Sequence, residues 1–117
     1  MSTPGIQHTL YQLHEILQHH PGDSADWLQS ILVRYKDDKP GFYQALNSKR
    51  MWGGAGSIAN QALADNPGMD ELTWQDEIRR FRELMIELGQ QLRERGDAYP
   101  DISSWLLAFS NWNQSGI

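Results

Sequence analysis

From Thr73 to about Arg95 the apolar residues Ile78, Phe81, Met85, Leu88 and Leu92 recur at steps of three and four. That spacing places all five on one stripe of a helix and leaves the intervening charged residues on the other side. Nowhere does the chain alternate apolar and polar residues with a period of two, the pattern of a half-buried strand. A sustained helical stripe without strand alternation restricts the chain to an all-α fold. Thr73 and Asp76 have capping-box spacing at the start of this segment, and Gly96 is placed to close it with a left-handed cap.

The same periodicity recurs on both sides. Between Thr3 and His20 the stripe is Ile6, Leu10, Leu13 and Leu17, with Ser2 or Thr3 as cap and Pro4 in the first turn. Pro21-Gly22 ends it, and Asp23 or Ser24 can cap a second helix carrying Trp27, Leu28, Ile31, Leu32 and Tyr35. Lys39-Pro40-Gly41 reads as a break, followed by a short segment with Phe42, Tyr43, Ala45 and Leu46. The glycine-rich element at 53–57 leads into a piece with Ile58, Ala62 and Leu63, and Asn66-Pro67-Gly68 is the next turn. Ile102, Trp105, Leu106, Phe109 and Trp112 make a last amphipathic helix after Tyr99-Pro100. With 117 residues, the expectation is one domain spanning 1–117, a bundle of five or six helices around a single core.

Several chemistries are disfavoured. There is no cysteine, so thiol catalysis, disulfides and thiolate metal sites are excluded. No apolar run approaches the roughly 20 residues that cross a bilayer, and Met1 to His8 is polar, so the expected address is cytoplasmic. His14-Glu15 precedes His19 with one residue too many for a zinc-protease helix, and His8 and His14 lie about 600° apart in helical rotation. His19 and His20 read as partial cations at a helix C-terminus. The glycine element lacks the Lys-Ser/Thr of a phosphate loop; its glycines are expected to allow positive φ and close helix approach, with Ser57 capping the next helix. No Gly-x-Ser-x-Gly elbow is present, and the carboxylate pairs are sequence neighbours that do not face each other on a helix. Neither an enzyme, a metal nor a cofactor is therefore expected.

The formal net charge is −5, and all of it lies in one stretch. Residues 51–78 hold Asp65, Asp70, Glu71, Asp76 and Glu77 with no Lys or Arg, whereas the remainder balances ten acids against ten bases. This disfavours nucleic acid as a partner and suits a basic protein, because complementary charge raises encounter rates and selects partners. Arg79, Arg80 and Arg82, interleaved with Glu83 and Glu87, read as a solvated mixed-charge face. Of the five tryptophans, most are expected in the core; Trp74 and Trp112 are the candidates for partial exposure.

The stretch Met51-Trp52-Gly53-Gly54-Ala55-Gly56-Ser57-Ile58-Ala59-Asn60, preceded by the pair Trp27-Leu28, resembles small helical bacterial proteins that look like immunity proteins of polymorphic-toxin systems. The resemblance covers about residues 24–64, and those proteins carry an acid after the Gly-Ser element where this chain has Asn60. It implies a binding protein that neutralises a cognate toxin and has no catalytic residues. An acidic surface is consistent with a blocker of a basic toxin, and the expected contact residues are Asp65, Asp70, Glu71, Trp74, Asp76 and Glu77. The alternative is an adaptor or effector chaperone, which would expose an apolar groove; a small helical enzyme or ligand-binding protein would need the histidines or the glycine turn to converge on a pocket.

Overall fold

The stripe read from Thr73 to about Arg95 lies on the organising helix, 25 residues long, of the computed structural model, which describes residues 5–20, 22–63, 66–96 and 98–115. In chain order the elements are α1 (Ile6–Leu17), α2 (Ser24–Asp37), α3 (Lys39–Leu46), the one-turn α4 (Lys49–Trp52), a 3-10 turn (Ala59–Leu63), α5 (Glu71–Arg95) and α6 (Ile102–Ser115). No strand occurs among the described residues, and the protein is an all-α bundle. Helix α1 packs between α2 and α5, α3 packs on α2, and α6 packs on α5; α4 and the 3-10 turn close the remaining side between α3 and α5. The Cα radius of gyration is 13.7 Å, close to the ~13.4 Å of a compact chain this long. Among the described residues no helix is long and apolar enough to cross a membrane.

All five apolar residues of the α5 stripe are buried, joined by Leu84; all but Ile78 fall in one cluster with Leu10 and Leu13 of α1, Leu28 and Ile31 of α2, and Ile102 and Phe109 of α6. Gly96 ends α5 in the left-handed region at φ 105°, and its amide donates to the Leu92 and Arg93 carbonyls at 3.3 and 3.1 Å. Where α5 crosses α6, Gly89 leaves room for Leu106 and Ile102.

Several element boundaries differ from expectation. Helix α1 is shorter than the stretch from Thr3 to His20, with Gly5 at its N-cap; the candidate caps Ser2 and Thr3, and Pro4, lie outside the described residues, as does Pro21. Lys39-Pro40-Gly41 does not break the chain but forms the first turn of α3. The break is the single residue Asp38, whose carboxylate accepts from the Gly41 amide at 3.1 Å, while Pro40 occupies a first-turn position that needs no amide donor. Asp23 stands at the α2 N-cap without making a capping bond. Its carboxylate instead accepts from Arg50 at 2.5 Å, and the Arg50 guanidinium lies 5.3 Å from the Trp27 ring centroid, tying α2 to α4.

The glycine-rich element is a turn between α4 and the 3-10 segment. Gly54 and Gly56 adopt φ of 97° and 84°, which a side chain would strain, and the turn returns the chain so that the Ile58 amide donates to the Arg50 carbonyl at 2.8 Å. Ser57 caps the 3-10 segment, its hydroxyl accepting from the Asn60 amide at 3.3 Å. Trp52 is buried beside it, donating from Nε1 to the Leu46 carbonyl at 2.8 Å, while its own carbonyl accepts from Trp105 Nε1 at 2.8 Å. Trp52 is the one tryptophan that is completely buried; Trp27, Trp105 and Trp112 pack half-buried on the core, and Trp74 is also half-buried.

Candidate functional site

The acidic stretch begins with a turn that aims α5. Asn66 Oδ1 accepts from the amides of Gly68 and Met69 at 3.1 and 2.7 Å, its Nδ2 donates to the Met69 carbonyl at 2.8 Å, and Gly68 takes φ 108°. The helix then starts three residues earlier than the Thr73–Asp76 box predicts. Asp70 is the N-cap, its carboxylate accepting from the Thr73 amide at 3.3 Å and standing 3.5 Å from the Thr73 hydroxyl. Removing this cap by Asp70→Ala is expected to cost about 0.5–2 kcal/mol, read as a lower denaturant midpoint with an unchanged slope.

Helical geometry then sorts the candidate residues into two groups. Trp74 and Glu77 share the inward side with Ile78 and Phe81, and both are half-buried. Glu71, Leu72, Gln75 and Asp76 point outward and are exposed; Glu71 accepts from Gln75 Nε2 at 3.0 Å. Leu72, 72% exposed, stands on the polar side with Gln75 and Asp76 one turn further along. The acidic surface is bounded below by Arg79 and Arg80, of which Arg80 reaches Glu83 at 3.3 Å and Gln12 of α1 at 3.2 Å. Negative side chains at a helix start are stabilised by the macrodipole, so the surface itself is inexpensive to maintain. Asp65 lies outside the described residues.

Glu77 belongs to a different arrangement from the outward acids. Its side chain is only 11% exposed and its carboxylate meets both histidines at the end of α1, with His19 Nδ1 at 2.6 Å from Oε1 and His20 Nε2 at 3.9 Å from Oε2. Trp74 Nε1 is likewise buried, without a hydrogen-bond partner. The expectation of a solvated mixed-charge face also needs correction at Arg82. That residue is buried, its guanidinium 5.3 Å from the Trp112 centroid and 3.4 Å from Asn113 Oδ1, because α6 packs over this side of α5. Burial and, secondarily, the charge of Arg79 lower its pKa from the ordinary arginine value.

The four histidines do not converge. His8 is exposed at the edge of an α1–α2 groove, and His14 Nδ1 is 3.5 Å from Gln18 Nε2. Among the described residues no group of three His, Asp or Glu side chains is placed to hold a metal. Leu72 was not among the expected contact residues. Its phase was legible: it lies six residues before Ile78, about 240° around the helix from the buried stripe. The histidine contacts of Glu77 had no local signal, being 57 and 58 positions away in the chain. No protein-family model matches the chain, and neither the curated proteins nor the solved structures contain a significant match.

Proposed function

We propose that the protein is a stoichiometric binding module, acting as an immunity protein that neutralises a cognate bacterial toxin by covering its active site. The observation that carries this reading is Leu72, an exposed apolar side chain set among Glu71, Gln75 and Asp76 at the start of a rigid, capped helix. An apolar anchor with surrounding carboxylates fits a basic surface containing a small hydrophobic recess: charge steers encounter and the anchor slows dissociation. The partner inferred is a basic protein domain in the cytoplasm; no catalytic residue, cofactor, nucleic acid or membrane enters the mechanism. Asp70 supports the surface as its cap, and Glu77 and Trp74 support it from beneath.

The test is co-purification of the tagged protein from its native cell lysate, followed by quantitative binding with variants. Recovery of one basic protein encoded by a neighbouring gene, in a one-to-one complex, is the expected result. Glu71→Lys with Asp76→Lys should then slow association and flatten its salt dependence, and Leu72→Ala should weaken binding by about tenfold or more through faster dissociation. Asp70 and Glu77 are left intact in these variants because changing either would disturb the helix start as well as the surface. Wild-type affinity in both variants would place the contact elsewhere.

The adaptor or effector-chaperone reading is favoured by a separate feature. An open groove of about 450 Å³ between α1 and α2 is lined by Gln7, His8, Tyr11, Gln29, Leu32 and Val33, with Tyr11 and Val33 exposed. Loss of partner binding on Tyr11→Ala and Val33→Ser, with no effect of the α5 variants, would select that reading.

A further inference from the structure

The chain leaves α1 through His19 and His20, and both rings approach one carboxylate, Glu77, in the second turn of α5. The two histidines are in unlike surroundings. His19 is 59% exposed and hydrogen-bonds Oε1 at 2.6 Å, whereas His20 is only 4% exposed and stands 3.9 Å from Oε2, beyond direct hydrogen-bond range. His20 Nδ1 and Glu77 Oε2 are both buried without a hydrogen-bond partner. Around them, Glu15 of α1 and Arg80 of α5 share the groove that His19 lines, while Asp23, next along the chain, is engaged by Arg50. One carboxylate therefore serves two rings.

We propose that His19, His20 and Glu77 form a proton-operated clasp that holds the end of α1 on the start of α5 and slackens when His20 is protonated. It would regulate the presentation of Glu71, Leu72 and Asp76, a consequence that rests on the docking reading above. The asymmetry follows from exposure and geometry. A proton on His20 places a cation in a nearly sealed site whose one carboxylate is already engaged by His19 at 2.6 Å. Burial accordingly lowers the His20 pKa below 6.5; Glu77 opposes the shift and His19 adds to it. Because the folded-state value lies below the unfolded one, the clasp contributes stability that is complete above about pH 6.5 and is lost as pH falls through the folded value.

The test uses the full chain without any partner. Histidine ring shifts and amide protection factors, corrected for intrinsic exchange, are followed by NMR from pH 7.5 to 5.0. The expected result is that His20 titrates below pH 6.5 and that amides of residues 71–78 lose protection in the same step, by up to about tenfold for each unit of pKa difference. His20→Gln, which keeps a polar group where Nε2 faces Glu77, should remove the step. A His20 titration at 6.5 or above, or amides 71–78 that stay protected while His20 titrates, would overturn the clasp. Should the glutamine variant fail to fold, the wild-type titration alone still decides. The lysate experiment judges docking at constant pH, so either reading can fail without the other.

Discussion

Trp52→Ala is expected to lower the unfolding free energy by about 3–5 kcal/mol, a large part of the roughly 5–15 kcal/mol that holds a typical domain. The indole is completely buried and occupies the junction where α3, α4 and α6 meet: Nε1 donates to Leu46 at the end of α3, and the Trp52 carbonyl accepts from Trp105 in α6. Truncation would leave a cavity and an unpartnered buried carbonyl. Trp52→Phe is the milder change, since it keeps one aromatic ring while losing the donor and the volume of the pyrrole ring; about 1–3 kcal/mol is expected for it. Guanidinium unfolding followed by circular dichroism measures both. A loss below about 1 kcal/mol for the alanine variant would mean that the junction is not the centre of the core.

Gly89→Leu should destabilise the bundle and displace α6. A Cβ at Gly89 would come within 2.6 Å of Leu106 Cδ2 and 3.0 Å of Ile102 Cγ2, so the two helices meet where only hydrogen fits without movement. Overpacking of this kind costs about 1–3 kcal/mol. Gly89→Ala provides the contrast. Its single methyl meets the movable ends of side chains, and about 1 kcal/mol of helix propensity is recovered, so its net effect should be small. Near-ultraviolet circular dichroism of Trp105 and Trp112, both on α6, distinguishes a shifted helix from a merely weakened one. Equal stability of the leucine variant and the native protein would show that α6 can retreat freely.

The start of α5 joins stability to the proposed docking. Asp70 uses its carboxylate for the cap and Glu77 for the histidines; of the other described acids in this stretch, Glu71 accepts from Gln75 and both it and Asp76 face solvent. Charge summed along the sequence overstates the surface charge available to a partner. The exposed Leu72 offsets that loss, since an anchor contributes to residence time in a way that screened surface charge does not.

The helical class, the buried stripe of α5, the turn at Asn66-Pro67-Gly68 and the stop at Gly96 were all legible in the sequence. Each depends on residues within a few positions of one another, where periodicity and backbone chemistry act locally. The expectation that most tryptophans lie in the core needs correction: Trp27 and Trp105 are half-buried just as Trp74 and Trp112 are, and only Trp52 is enclosed on every side. The α5 cap was ambiguous even locally: Asp70 and Thr73 offer overlapping capping frames, and the carboxylate of Asp70 takes both the amide and the hydroxyl of Thr73. Beyond the elements themselves, only tertiary structure decided which charged side chains remain in water. Arg82 goes under Trp112, Glu77 turns to His19 and His20, and Asp23 leaves its cap for Arg50. A polar residue beside an apolar stripe can be solvated or covered, and the outcome depends on which distant helix packs there; periodicity sets the phase of a helix face but carries no information about its neighbour.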